Sequence, residues 1–106
     1  MAKKRRVFAE RTPLGHRVVL TRDRWREIVR FKHPALAGHE EDVRDCVRDP
    51  EIIRASVKDA DTHIYYRGVG EGYIGVVVGG DDPEDRFVVT AYFTRGMKKG
   101  QDLWTR

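Results

Sequence analysis

A single cysteine in 106 residues excludes an internal disulfide framework, so Cys46 is a free thiol of the kind a reducing compartment permits. Long apolar runs are missing as well. None approaches the roughly 20 residues needed to cross a bilayer, and the lysine- and arginine-rich start leads into Val7-Phe8-Ala9-Glu10 instead of a signal-peptide apolar region. The expected location is the cytoplasm, with no membrane partner. The histidines at 16, 33, 39 and 63 lack metal-ligand spacing, and Gly70-Glu71-Gly72 is too short for a phosphate loop. Neither a metal nor a cofactor is expected. No repeat or low-complexity stretch divides the chain, whose length fits one modest core: a single domain, 1–106, with a basic arm at about 1–6.

What the chain does have is segregated charge. Residues 1–32 hold 11 lysines and arginines against 3 acidic residues, a balance of +8; residues 33–93 hold 6 against 13, a balance of −7; residues 94–106 hold 4 against 1, a balance of +3. Clustered cations attract phosphates and release counterions on binding, so a polyanion fits as a partner. The alternative is a solvated tail at Lys3, Lys4, Arg5 and Arg6 that aids solubility.

Residues 5–9 and 16–20 are rich in β-branched residues and flank the turn-forming Thr12-Pro13-Leu14-Gly15, which predicts two strands. Thr21 can cap a helix over about 22–32, whose Trp25, Ile28 and Val29 have helical spacing and which must end near His33 because Pro34 follows. Glu40, Glu41 and Asp42 suit the first turn of a second helix over about 39–48, with Val43, Cys46 and Val47 inward. Asp49-Pro50 predicts a further short helix holding Ile52 and Ile53. Runs at about 63–67, 73–79 and 86–94, separated by glycine- and acid-rich turns, predict an antiparallel meander. The fold class is therefore α+β, with helices covering one sheet face.

Strand alternation separates an inner set, Phe87, Val89, Ala91 and Phe93, from Arg86, Val88, Thr90, Tyr92 and Thr94. An open face presenting Tyr65, Tyr73 and Tyr92 beside Arg67, Arg86, Thr90 and Thr94 would combine stacking rings, guanidinium groups and hydroxyls, as RNA binding requires; the alternative is ordinary cross-strand packing. His33 ends the first helix on the stripe of Arg22, Arg26 and Arg30. An imidazole there suits proton transfer, or else it caps the helix end or stacks under Pro34. Cys46 reads as a packed core thiol.

Trp25 with Lys32-His33-Pro34, Asp49-Pro50-Glu51-Ile52-Ile53, Tyr65-Tyr66-Arg67, the run Val88–Thr94, Lys99-Gly100 and Leu103-Trp104 give residues 14–106 a likeness to a small bacterial and phage family. That family resembles the barnase/EndoU/colicin/RelE nuclease superfold. The resemblance implies two to three helices on one face of an antiparallel sheet of about four strands, with substrate on the open face. It also implies a metal-independent endoribonuclease of toxin or phage type, with RNA as substrate and an antitoxin or immunity protein as the partner of toxin-like members. Its helix-end histidine corresponds to His33, its strand arginine to Arg67, and its hydroxyl-bearing last strand to Thr90, Tyr92 and Thr94.

In such cleavage the ribose 2′-hydroxyl attacks the adjacent phosphorus, which needs a base, an acid for the leaving 5′-oxygen and a cation for the developing charge. His33 would be base or acid, Arg67 the charge stabiliser, and Thr90 or Tyr92 a positioning group. The surface for RNA would comprise Arg22, Arg26, Arg30, Tyr65 and Thr94, with Lys98 and Lys99 gripping flanking phosphates. The competing class is a non-catalytic RNA-binding or protein-interaction module on the same fold.

Overall fold

A computed structural model describes residues 5–106. Most of the expected basic arm, including Lys3 and Lys4, lies outside them. Strand β1 (Arg6–Arg11) turns at Thr12–Gly15 into β2 (Arg17–Thr21), and Thr21 caps α1 (Arg22–Glu27) by accepting the Arg24 N–H at 3.2 Å. A π-helical turn, Ile28–Lys32, and a 3₁₀ turn, Pro34–Leu36, lead to α2 (Glu40–Arg48). Five strands follow: β3 (Ile52–Ser56), β4 (His63–Val69), β5 (Gly72–Gly79), β6 (Arg86–Thr94) and β7 (Gly100–Thr105).

All seven strands join one sheet in the order β1-β2-β6-β5-β4-β3-β7. This corrects the expected fold class of two to three helices on a four-stranded antiparallel sheet. The sheet is larger and mixed, since β2 and β6 run parallel, and only two short α-helices accompany it. The Ile52-Ile53 segment is a strand and not a helix. Its β-branched residues gain ladder bonds on both sides, from β4 and β7, which no isolated turn of helix could match. Asp49 ends α2 instead of starting a helix. The last strand, β7, was not expected at all. Gly100 sits where a Cβ would run into the Ala55 carbonyl oxygen, so only glycine lets β7 close on β3.

Helix α2 lies on one sheet face. Val43, Cys46 and Val47 are buried against Ile53, Tyr65, Ile74, Val76, Val78 and Ala91, and the Cys46 thiol donates to the Tyr65 carbonyl at 3.3 Å. Cross-strand register assigns the rest of that face: Tyr65 sits opposite Val76, Ile53 opposite Tyr65, and Val88 opposite Val78. Helix α1 packs against β1, β2 and β6. It takes over where β2 stops, since β2 pairs with β6 only at Val18–Arg86 and Val19–Phe87.

The inner set expected for β6 holds at Ala91 and Phe93 and is corrected at Phe87 and Val89. Val77 pairs with Thr90 but Val78 pairs with Val88, so Val89 is an inserted residue and the period-two alternation breaks there. Val88 and Ala91, three apart, are both buried, whereas Phe87 is 46% exposed on the other face; Phe93 stays on the α2 side, its ring edge-on to His39 at 5.0 Å. Phe87 and Val89 turn to the face away from α2, where both lie over Gly79.

His63 opens β4 on the α2 side and is buried. Burial, with the Arg86 and His16 charges adding repulsion, pushes its imidazole down from the ordinary 6.5 to about 4. Between those values the unfolded chain binds the proton and the folded chain does not. The stability contribution is thus complete above pH 6.5 and lost as pH falls toward 4. Urea midpoints should therefore drop more steeply over this window for the wild type than for His63→Gln; parallel curves would contradict the assignment.

Candidate functional site

On the face away from α2, two tyrosines flank a glycine. Gly75 pairs with Tyr66 on one side and Tyr92 on the other. A Cβ at Gly75 would lie 3.0 Å from Tyr92 Cζ, so the missing side chain is what lets the Tyr92 ring lie flat on the sheet. Gly79 does the same for Phe87, whose ring would be 3.3 Å from a Cβ there.

The connection between β6 and β7, residues 95–99, folds over Tyr66 and buries it. The Lys98 N–H donates to Tyr66 Oη at 2.9 Å, and the Lys98 carbonyl accepts from Arg54 Nη1 at 3.0 Å. Arg54 Nε also donates to Asp102 Oδ1 at 2.7 Å, which ties the loop to β3 and β7. These bonds place the Lys98 ammonium 5.7 Å from the Tyr92 ring centroid. Tyr92 Oη itself is buried without a partner of good geometry. Burial, and then the neighbouring Tyr66 hydroxyl, push the Tyr92 phenol well up, so it stays neutral.

His33 reaches this group because of the π-helical turn. Its N–H closes the turn onto the Ile28 carbonyl at 2.7 Å, and its ring lies 5.9 Å from that of Tyr92, tilted by 41°. Beside the loop is a cavity of about 240 Å³ whose walls include Ser56, Lys58, Thr62, Lys98 and Lys99. A larger, open cleft of about 700 Å³, bounded by Arg6, Arg17, Thr21, Asp85, Arg86 and Phe87, lies across β1, β2 and β6. From β2 to β3 are four strand spacings, or about 19 Å. Cations thus stand at both ends of a strip with Phe87 and Tyr92 between them.

The expected site is only partly assembled. His33, Tyr92 and Lys98 come together, Lys99 lines the adjoining cavity, and Thr90 Oγ1 is buried without a partner. Arg67 is not among them. It pairs with Ile74 on the α2 side, donating to the Asp49 carbonyl at 2.6 Å and carboxylate at 3.1 Å, where Arg106 also binds. Tyr65 is wholly buried under α2 and offers no stacking surface. Thr94 shapes the loop entrance by donating to the Gly96 carbonyl at 2.8 Å. Arg22, Arg26 and Arg30 are all exposed on the helical segment, with Arg30 5.7 Å from the exposed Phe31 ring.

Sequence reasoning missed Tyr66, Gly75, Arg54, Ser56 and Lys58. Gly75 and Gly79 were the available signal. Glycines alternating with Ile74, Val76 and Val78 mark positions where a neighbouring side chain must lie against the backbone. Among the described residues no three of His, Cys, Asp and Glu group where they could hold a metal ion, and no helix is long and apolar enough to cross a membrane.

Comparison with protein-family models, curated proteins and solved structures gives no match.

The Tyr66 hydroxyl anchors the loop that carries Lys98. Tyr66→Phe should lower stability by about 1 kcal/mol, the usual net value of one hydrogen bond, and speed hydrogen exchange at the Lys98 amide while leaving α2 amides unchanged. Unaltered Lys98 exchange would show that the loop is held by something else.

Proposed function

We propose that the sheet face opposite α2 binds single-stranded RNA. The observation that carries this reading is the strip itself: Phe87 and Tyr92 flanked by Arg6 and Arg17 at one end and Lys58, Lys98 and Lys99 at the other. Rings held against the sheet stack with bases of any sequence, and the flanking cations pair with phosphates. Ser56 and Thr62 beside the lysines supply hydroxyl partners for ribose 2′-hydroxyls. The acidic Glu40, Glu41, Asp42 and Asp45 all belong to α2, across the sheet, so the carboxylate that the polyanion meets in the β1–β2–β6 cleft is Asp85, set against Arg6 and Arg17 there.

Cleavage of the bound strand is a second reading, favoured by the His33–Tyr92 contact. His33 would take the 2′-hydroxyl proton as that oxygen attacks phosphorus. Lys98, in the place expected for Arg67, would stabilise the added charge. The bond from phosphorus to the 5′-oxygen would break as the new bond forms, the leaving 5′-oxygen taking its proton from solvent, and the product would end in a 2′,3′-cyclic phosphate.

One experiment tests both. A labelled single-stranded RNA is titrated at several salt concentrations in EDTA and then analysed for length. Binding should weaken with salt, and Lys98→Ala/Lys99→Ala should lower the log–log slope by about 1.4, two contacts' worth. Arg67→Ala should leave affinity unchanged. Cleavage, where it occurs, should fall about 10²–10⁴-fold in His33→Ala with binding retained. Salt-independent affinity, or a loss in Arg67→Ala equal to that of the lysine variant, would overturn the RNA surface. Intact RNA would overturn the cleavage reading alone.

A further inference from the structure

The α2 side of the sheet holds a polar cluster of which only Arg86 also borders the cleft across β1, β2 and β6. His16 immediately precedes β2, His63 opens β4 and Arg86 opens β6, so three strand ends bring two imidazoles and a guanidinium together beneath the β1–β2 turn. The imidazoles stack with centroids 5.7 Å apart and planes 21° from parallel. Arg86 is 3% and His63 7% exposed, while His16 keeps a partly open edge to solvent.

Much of the hydrogen-bonding capacity of these groups is unspent. Arg86 Nη2 donates to the Asp61 carbonyl, but Arg86 Nε, His63 Nδ1 and His16 Nδ1 lack partners, and the Tyr65 hydroxyl has only the Thr12 side chain beside it, without a hydrogen bond of good geometry. Nor does a carboxylate neutralise the guanidinium. Among the described residues Arg86 makes no ion pair, and Glu84, the acidic group that acts on His16, is bound to Arg11 at 2.6 Å. Asp61 acts on His63 only weakly compared with Arg86. A buried cation without a counter-charge is costly, and charge and donors concentrated in one place describe a receptor for an anion.

We propose that Arg86, His16 and His63, with the Tyr65 hydroxyl, form a binding site for a small tetrahedral oxyanion of the phosphate class. The Arg86 Nε–H and the tyrosine hydroxyl donate to the anion, and each imidazole donates through Nδ1 in the tautomer that carries its proton there, which does not require His63 to be charged. The anion enters past His16. The charged groups around it are then Arg86 from β6, His63 from β4, Asp61 from the loop before β4, and Glu84 and Arg11 at the outer rim. All the cationic groups but Arg11 lack an acidic side-chain partner, so the anion does not displace an existing pair.

The test is a titration with inorganic phosphate, and separately with a nucleoside 5′-monophosphate, at ionic strength held constant with chloride near pH 6.5. Imidazole proton resonances and thermal unfolding are followed. Saturable movement of the His16 and His63 resonances, with His33 and His39 unmoved, together with a rise in Tm, is expected. The ligand that saturates at lower concentration identifies the source of the phosphoryl group. Affinity should fall at least 10-fold in Arg86→Met. Because that variant removes a buried group, His16→Ala at the partly exposed edge serves as the second, and it too should bind at least 10-fold more weakly. No saturable movement with either ligand, or undiminished binding in His16→Ala, would overturn the site.

Discussion

The register change between β5 and β6 controls what each side of the sheet can do. With Val89 inserted, Val88 and Ala91 both point under α2, while Phe87, Val89 and Tyr92 point the other way. Had alternation run unbroken through this strand, Phe87 and Val89 would share a face with Ala91, under the helix. The bulge therefore converts an ordinary amphipathic strand into one that closes the core with small residues and presents rings on its outer face. It lies where β2 leaves the sheet and the helical segment carrying His33 takes its place beside β6.

Glycine completes that arrangement. Gly75 and Gly79 give the rings of Tyr92 and Phe87 a flat bed, and the loop bearing Lys98 is anchored across Tyr66. Under α2 the other face is organised for stability. Cys46 is sealed against β4 and β5, which pushes its thiol far up and leaves it inert, and Arg67 and Arg106 clamp Asp49 at the end of α2. A guanidinium spent in this way holds the helix to the sheet and is not free to meet a phosphate on the opposite side.

The parts readable from sequence were those set by local chemistry. The Thr21 cap, the acidic first turn of α2, the stop before Pro34 and the three meander strands all depend on residues within a few positions of each other. Long-range pairing was not readable. Ile52–Ser56 becomes a strand only because β4 and β7 lie on either side of it, and Tyr65, expected on the open face, turns inward while Tyr66 takes the other face because the β4–β5 register sets them so. A one-residue offset of that kind reverses every side chain on a strand, which is why His33, Tyr92 and Lys98 were placed together while Arg67 and Tyr65 were not.

The central claim is that a single strand of RNA lies along the sheet face opposite α2. Amide chemical-shift mapping with a short single-stranded oligoribonucleotide tests it most directly. The account predicts shifts concentrated at Arg17, Phe87, Tyr92, residues 97–99 and Lys58, with Val43–Arg48 of α2 unmoved. Shifts centred on α2, or spread evenly over both faces, would contradict it.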